Sequence, residues 1–279
     1  MFKEKAKPAR QKTGPGPGKM RKDVKGKKEK PPPAGRYDDF IKTGIQGLDN
    51  LFERGVPKNA SVLIAGGAGS GKTILCLQMV YRAALEDRKC LYMSFEESEE
   101  RLKSHMKMFG WNLGDKGGNL MIKKMDIFSM GRSIDAMLAK KSGELLIDVK
   151  PVLMPDGFTP DIVVVDSLTS IASALTDSEG IYRIYIEQFF RYFEEMKVNT
   201  FLISETSEEP EVYSPMGVEE FLADGVIVLY NIRKGNTREN GIEVLKMRGA
   251  KHEKKIAAMQ ITDNGIEVYP DQEVFGIEK

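Results

Sequence analysis

The chain has 279 residues, of which 41% are hydrophobic and 30% are charged, which is enough apolar material to build the core of one or two domains. No apolar run approaches the roughly 20 residues that a membrane span needs, and the charged N-terminus contains no apolar signal core. With two histidines and two cysteines that form no Cys-x-x-Cys pair, a zinc site or a disulfide framework is disfavoured. We therefore expect a cytoplasmic protein in which Cys76 and Cys90 are reduced core thiols.

The charge is divided unevenly along the chain. Residues 1–36 hold 13 of the 42 basic and 3 of the 41 acidic residues, which leaves 29 basic and 38 acidic residues for the remainder. This segment also holds 6 of the 13 prolines and almost no large apolar side chains, so burial cannot offset its ordering entropy. We expect a disordered basic tail over residues 1–36 and a globular domain over residues 37–279. The tail is suited to nucleic acid contact, to docking on the acidic body or simply to solubility.

From residue 37 onward, short apolar runs alternate with segments of helical periodicity. Strands buried on both faces are predicted at residues 60–66, 89–95, 161–167 and 199–204. Helices are predicted at residues 73–87, 98–110, 132–141 and 182–197. Toward the C-terminus, shorter strands separated by glycine or Asn-Gly turns are predicted at residues 224–230, 241–247, 257–262 and 265–269. This order predicts an α/β fold with a mostly parallel central sheet flanked by helices and with antiparallel C-terminal strands, whereas most of residues 112–160 cannot be assigned.

The strongest local signal is the sequence GGAGSGKT at residues 66–73, which matches G-x-x-x-x-G-K-[ST] between a buried strand and a helix. Glycines let the backbone wrap around a phosphate, and the loop N–H groups face the anion. Lys72 would reach the β- and γ-phosphates, and the Thr73 hydroxyl would bind Mg²⁺. The residues predicted to bind ATP are Gly66, Gly67, Ala68, Gly69, Ser70, Gly71, Lys72 and Thr73.

Carboxylates follow two further strands. Asp166 ends the run IVVVD, where it would bind the Mg²⁺ ion, although capping of the next helix is an alternative that Ser167 could also fulfil. Glu96 and Glu97 follow the strand that contains LYMSF, at the end of the sheet that should carry the phosphate loop. They are candidates to orient or deprotonate the attacking water, with placement at the start of a helix capped by Ser98 as the alternative.

These residues lie in an ordered set of segments that resembles the KaiC-like ATPases of the RecA superfamily, in their single-domain archaeal form. The matching segments are TGIQGLDNLF (43–52), GGAGSGKT (66–73), FEE (95–97), VVVDSLTS (163–170), GVEEFLADGVIVL (217–229), LKMRGAKH (245–252) and ITDNGIEVYP (261–270). The chain carries one phosphate loop, so it resembles a single domain of this family, and the resemblance does not imply timekeeping.

The resemblance implies a RecA-like core and a homo-oligomer, a hexameric ring with ATP bound between neighbours. It also implies that Glu96 and Glu97 are the catalytic pair and that Lys246, Arg248 and His252 reach the nucleotide of the adjacent subunit. Physical reasoning agrees for two of these residues. Lys246 and Arg248 are two apart on a predicted strand and so share a face, and a phosphoryl transition state gains from a cation supplied in trans. A solvated basic strand is the alternative.

The expected function is therefore that of a Mg-ATP-binding, slowly hydrolysing ATPase whose nucleotide state controls oligomer and partner interactions. Three alternatives stay open: a DNA-binding recombinase, a KaiC-like autokinase and a non-hydrolysing ATP-binding regulator. The recombinase is disfavoured because the loops that would face DNA, SALTDSEG (173–180) and ETSEEPE (205–211), are acidic and would repel phosphate. The protein partner cannot be inferred from the sequence.

Overall fold

The computed structural model describes residues 39–127, 154–174, 179–207 and 212–274. The predicted basic tail and the predicted helix at 132–141 lie outside the described residues, as does part of each acidic loop. None of the helices in the described part of the chain combines the length and the apolar character that crossing a membrane requires.

The described residues form strands and helices in alternation up to residue 222, followed by a run of strands. The strands are β1 (Phe40–Ile41), β2 (Val56–Pro57), β3 (Ser61–Gly66), β4 (Cys90–Ser94), β5 (Leu120–Lys124), β6 (Ile162–Asp166), β7 (Asn199–Glu205), β8 (Gly225–Lys234), β9 (Thr237–Met247), β10 (Ile256–Thr262) and β11 (Gly265–Glu273). The helices are α1 (Gln46–Asp49), α2 (Lys72–Leu85), α3 (Glu99–Met108), α4 (Leu168–Ala174), α5 (Glu179–Met196) and α6 (Glu219–Leu222), with a 3₁₀ helix at Gly114–Asn119.

Nine of these strands form one sheet in the order β11-β10-β9-β8-β3-β7-β6-β4-β5. The strands from β8 to β5 in this order run parallel, and β9, β10 and β11 extend the sheet in antiparallel fashion. This arrangement confirms the predicted fold class. Strand β5, within the stretch that the sequence left unassigned, lies at the edge of the sheet, where it pairs with β4.

Each parallel strand buries alternate side chains in two separate cores, which is why these strands read as continuous apolar runs. On one face, Val62, Ile64 and their neighbours pack beneath α1, α2 and α3. On the other face, Leu63 and its neighbours pack against α4 and α5. Both cysteines are buried in the first core, and burial raises the pKa of the Cys90 thiol to about 12.

The parallel strands bring four loop starts to one edge of the sheet. The phosphate loop follows β3, residues 95–97 follow β4, Ser167 follows β6, and Thr206 follows β7. The ladder continues past the strands, since Phe95 N donates to Asp166 O and Thr206 N donates to Gly66 O. Ligands of doubly wound sheets bind at this edge, so the fold gathers the predicted site residues there.

Candidate active site

The phosphate loop connects β3 to α2 and needs glycine at several points. Gly71, which precedes the helix, has a φ of 98°, in the left-handed region that favours glycine. A Cβ atom on Gly66 would lie 2.5 Å from Leu229 O and 2.7 Å from Ser70 Oγ, so no larger residue fits. The Ser70 hydroxyl is buried and has no hydrogen-bond partner among the described residues. An unpaired polar group in a glycine-lined loop is consistent with a phosphate ligand.

Lys72 is buried at the start of α2 and folds back over the loop. Its Nζ donates to Gly66 O and to Gly67 O, both at 2.9 Å. Burial lowers the pKa of Lys72, and nearby carboxylates, of which Glu205 acts most strongly, oppose this shift. The ammonium group is therefore held at the mouth of the loop by neutral carbonyl groups, which a phosphate anion can replace.

Asp166 lies at the end of β6, and its side chain bridges two neighbouring elements. Its Oδ2 accepts a hydrogen bond of 2.6 Å from the Tyr92 hydroxyl and one of 3.1 Å from Thr73 Oγ1. Burial raises the pKa of Asp166 to about 6, although the hydrogen bond from Tyr92 opposes this effect. Asp166 and Thr73, the two predicted Mg²⁺ ligands, are therefore in direct contact.

The alternative role for Asp166, capping the next helix, is fulfilled by its neighbour. Ser167 Oγ accepts a hydrogen bond of 3.3 Å from the backbone N–H of Ser170 in the first turn of α4. The Asp166 carboxylate instead faces Thr73 and Tyr92. Ser167 therefore caps α4, and the Asp166 carboxylate contacts Thr73 of the phosphate loop.

Glu96 is fixed by two hydroxyl groups from the neighbouring strand end. Its Oε1 accepts a hydrogen bond of 2.5 Å from Ser167 Oγ and one of 2.8 Å from Ser170 Oγ. These contacts cross from the end of β4 to the start of α4, so the carboxylate is held beside Asp166. Glu96 was predicted either to act on the attacking water or to stabilise the start of α3. Its contacts with Ser167 and Ser170 favour the first role.

Glu97 lies just before α3 and contacts residues of that helix and of β4. Its backbone N–H donates to Ser94 Oγ at 2.9 Å, and Arg101 Nε lies 2.8 Å from its Oε2 at an angle that makes an ion pair rather than a hydrogen bond. His105 Nδ1 lies 3.8 Å from the same oxygen. Ser98 caps α3 as predicted, since its side chain accepts from Arg101 N at 3.3 Å.

Most of the predicted cis residues converge on one cavity of about 390 Å³, although Gly66, Gly67 and Ser70 do not line it. Its polar lining consists of Gly69, Gly71, Lys72, Thr73, Glu96, Glu97, His105, Asp166 and Glu205. Its apolar lining consists of Ala68, Ile74, Met108, Phe109, Ile203 and Ile261. The cavity thus joins the phosphate loop, the Asp166–Thr73 pair and both glutamates.

The predicted trans residues do not reach this cavity. Lys246 Nζ donates to Glu220 O at 3.0 Å and to Ala223 O at 2.7 Å, at the C-terminal end of α6. Arg248 Nη2 donates to Phe221 O at 2.9 Å, so the two cations share a face as predicted. Residue 224, which follows this helix end, donates its N–H to Ser61 O at the first residue of β3.

These cations therefore lie at the opposite end of β3 from the phosphate loop. Ser61 and Gly66 are the first and last residues of β3, which corresponds to roughly 16 Å along the strand. His252 is placed apart from the other two, in a β-bridge with Phe52, with its Nδ1 3.3 Å from Glu253 O.

Several residues of the site escaped the sequence analysis. Tyr92 could have been found from strand alternation, because β4 and β6 pair Ser94 with Asp166 and residues two apart on a strand share a face. Ser170 occupies the third position after the Ser167 cap, and its contact with Glu96 depends on how two strand ends meet. Glu205 pairs with Gly66 in the ladder and had been assigned only to an acidic loop.

Comparison with known proteins identifies the family to which the chain is similar. A family model described as "ATPase: KaiC" matches residues 41–273. The circadian clock oscillator protein KaiC of Nostoc sp. is 28% identical over 242 residues, which cover 85% of this chain and 45% of the relative. That of Rippkaea orientalis is 30% identical over 238 residues, covering 82% and 44%. The chain thus spans less than half the length of these curated relatives.

A solved structure matches over more of its own length. The crystal structure of a KaiC-like protein from the hyperthermophilic archaeon Pyrococcus horikoshii superposes with a TM-score of 0.67 at 32% sequence identity. The match covers 83% of this chain and 99% of that chain.

Proposed function

The chain belongs to the KaiC family of ATPases, and from this premise we propose that it binds Mg-ATP at residues 66–73 and hydrolyses it slowly. The nucleotide state would control how copies of the chain associate with one another and with a partner. The observation that carries the proposal is the shared cavity, in which a phosphate loop faces two fixed glutamates and a buried Asp–Thr pair.

The phosphate loop would bind and orient the triphosphate. The Lys72 ammonium, now hydrogen-bonded to Gly66 O and Gly67 O, would exchange these neutral acceptors for the more favourable phosphate oxygens. The unpaired Ser70 hydroxyl and the N–H groups at the start of α2 provide further donors toward the same anion. Binding would therefore give the Ser70 hydroxyl a partner and exchange the neutral acceptors of Lys72 for charged ones.

Mg²⁺ would be held by Thr73 and Asp166, together with oxygens of the nucleotide. Both side chains offer the hard oxygen ligands that this ion prefers. Electrostatics also favours a metal ion here. Burial raises the pKa of Asp166 to about 6, and a neighbouring cation would stabilise the ionised form of this carboxyl group. When bound, the ion would neutralise charge that develops on the phosphate oxygens.

Glu96 and Glu97 would orient the attacking water and accept its proton. Two serine hydroxyls fix the carboxylate of Glu96, and Arg101 and Ser94 fix Glu97, so both are held in place before the substrate arrives. A carboxylate held within reach of the water contributes about 10²- to 10⁴-fold to such reactions.

Lys246 and Arg248 would complete the site of a neighbouring copy. Within their own chain they lie at the far end of β3, roughly 16 Å along the strand from the phosphate loop. An association in which the cationic end of one copy faces the acidic cavity of the next is heterologous and closes into a ring if the rotation allows. A hexameric ring is the assembly we propose, and His252, which lies apart from these two cations, would reach the neighbouring nucleotide from a separate position.

The test of this function is the double variant Glu96→Gln/Glu97→Gln. We expect it to retain ATP binding, because the phosphate loop is untouched, while its kcat falls by at least about 100-fold. Nucleotide affinity is measured by calorimetry and turnover by phosphate release. The matched control is Glu99→Gln/Glu100→Gln, on the exposed first turn of α3, which should leave kcat unchanged. Loss of binding in the Glu96/Glu97 variant would instead assign these residues a structural role.

We propose that residues 1–36 form a separate tail that contacts an acidic surface or nucleic acid. Rapid ATP hydrolysis that DNA stimulates further would favour the recombinase alternative. A pull-down with the full-length and tail-deleted chains, each with ATP and with ADP, would identify what is bound and in which nucleotide state.

A further inference from the structure

The two proposed trans cations do not extend freely into solvent, because the short helix α6 holds both. The carbonyl oxygens at its C-terminal end accept from Lys246 and from Arg248 over 2.7 to 3.0 Å. Cations at this end of a helix are favoured by its unsatisfied carbonyl groups. The head groups of the two cations are therefore held by α6, while their backbones are held by the β8–β9 ladder and by Asp224.

At its other end, α6 is tied to the long helix α5 by a buried carboxylate. Glu219 is fully buried, and its Oε1 accepts a short hydrogen bond from the Tyr182 hydroxyl of α5. Its Oε2 accepts from the backbone N–H of Val218 at 3.1 Å. Burial and the adjacent carboxylate raise the pKa of Tyr182 well above its ordinary value, so the phenol stays protonated and donates.

Other contacts fix the rest of the helix. The Glu220 carboxylate accepts from Tyr213 N at 3.2 Å and from Ser214 Oγ at 2.7 Å. Asp224 follows α6 closely and makes two hydrogen bonds with Ser61. Its Oδ2 accepts from Ser61 N, and its N–H donates to Ser61 O. The Tyr182–Glu219 hydrogen bond is thus one of several contacts that fix α6, and it joins α6 to the core helix α5.

We propose that Tyr182 and Glu219 are positioning residues for ATP hydrolysis, which hold α6 so that its carbonyl groups present Lys246 and Arg248 to the neighbouring copy. Neither residue lines the cavity that would hold the nucleotide of its own chain. The inference rests on the proposed function, in which these cations act in trans. It predicts that the buried Tyr182–Glu219 pair affects the rate of ATP hydrolysis as well as the stability of the fold.

The physical reason is the cost of an unpaired buried charge. Removing the Tyr182 hydroxyl leaves the buried Glu219 carboxylate with the N–H of Val218 as its remaining donor among the contacts described above. The carboxylate, and α6 with it, would relax toward solvent or toward another donor. The backbone carbonyl groups of α6 would move with the helix. The head groups of Lys246 and Arg248, which are hydrogen-bonded to these carbonyl groups and to that of Ala223, would then shift as well.

The experiment is Tyr182→Phe in the full-length chain, with Tyr192→Phe as the matched control. Tyr192 lies on the same helix, and its ring packs against Phe193 at a centroid distance of 5.4 Å. We expect Tyr182→Phe to lower the kcat for ATP by about tenfold with KM changed less than twofold. The control should keep both constants. Folding of each variant is verified by circular dichroism and thermal unfolding.

A double-mutant cycle separates positioning from a general structural effect. If Tyr182 acts through the cations, adding Tyr182→Phe to Lys246→Ala/Arg248→Ala should cause no further loss of kcat. Losses that multiply would overturn the proposal, as would an unchanged kcat in a folded Tyr182→Phe variant. If Tyr182→Phe does not fold, Glu219→Gln takes its place in the same cycle, because it keeps an acceptor for the phenol but loses one for Val218 N–H.

The same data keep this inference distinct from the proposed function. An unaffected kcat in Lys246→Ala/Arg248→Ala would refute the trans role itself. A reduced kcat there, with wild-type activity in Tyr182→Phe, would leave the trans role standing and refute the positioning role alone.

Discussion

At the scale of single residues, Asp166 links the chemistry of the site to the stability of the fold. Burial raises the pKa of its carboxyl group from an ordinary value near 3.8 to about 6. Between these two values the folded protein binds more protons than the unfolded chain, so the free energy of unfolding falls as the pH rises through this window. Above about pH 6 the full penalty is present, on the order of 2 to 3 kcal/mol.

We therefore predict that Asp166→Asn stabilises the nucleotide-free protein at pH 7.5 while abolishing Mg-dependent hydrolysis. The neutral amide oxygen can still accept from Tyr92, but it carries no buried charge. The gain, measured by denaturant unfolding, should be on the order of 2 kcal/mol at pH 7.5 and should fall below about 1 kcal/mol at pH 4. Asp115→Asn, on an exposed 3₁₀ helix, is the control. Equal stability of the variant and the wild type at pH 7.5 would contradict this reasoning.

The sequence predicted which residues form the cavity better than it predicted what holds them. Strand ends with carboxylates indicated Asp166, Glu96 and Glu97, because parallel strands share one edge. The hydroxyl groups that fix Glu96 come from Ser167 and Ser170, more than 70 residues away in the chain. No periodicity relates such positions, since only the pairing of β4 with β6 brings them together.

At the scale of elements, one amide joins the phosphate-loop helix to the last strand. The buried Gln78 of α2 donates to Ile266 O at 3.1 Å and accepts from Ile266 N at 2.6 Å. Strand β11 ends the sheet, so these backbone groups face away from the ladder and need a partner. Gln78 thus substitutes for a further strand at this point and fixes α2 relative to the antiparallel extension.

We predict that Gln78→Met destabilises the fold by about 2 to 4 kcal/mol, because it leaves a buried N–H and a buried carbonyl unpaired while keeping the side-chain volume. Chemical denaturation measures the loss. Gln260→Met, on the exposed side of β10, is the matched control and should change stability by less than about 0.5 kcal/mol. A loss no larger than that of the control would argue that water satisfies these groups.

The elements that the sequence predicted well are those fixed by local patterns. Buried strands bounded by glycine and the Ser98 cap of α3 were recovered, with ends that differ by one or two residues. Strand β9 is longer than predicted, because its polar first half pairs with β8 around Gly235 and has no apolar alternation. Strand β5 was missed, since an edge strand of five residues with two lysines gives little signal.

In the molecule as a whole, the acidic residues of the cavity and the two proposed trans cations lie at opposite ends of β3, and Asp224 lies with the cations, its Oδ1 3.8 Å from Arg248 Nη1. The end with the phosphate loop carries Glu96, Glu97, Asp166 and Glu205, and the other carries Lys246 and Arg248. Such an arrangement favours head-to-tail contact between copies, in which each copy supplies acids to one joint and cations to the next. The sequence alone predicted the shared face of the two cations but not their attachment to α6.

The most direct test of the shared site mixes two variants of reduced turnover, Lys246→Ala/Arg248→Ala and Glu96→Gln/Glu97→Gln. Each defect would fall on a different side of a joint, so a joint between intact acids and intact cations forms in about one quarter of positions after random equal mixing of a heterologous assembly. We predict that about this fraction of wild-type ATP turnover returns. Assemblies verified to contain both chains, yet as inactive as either chain alone, would contradict the account.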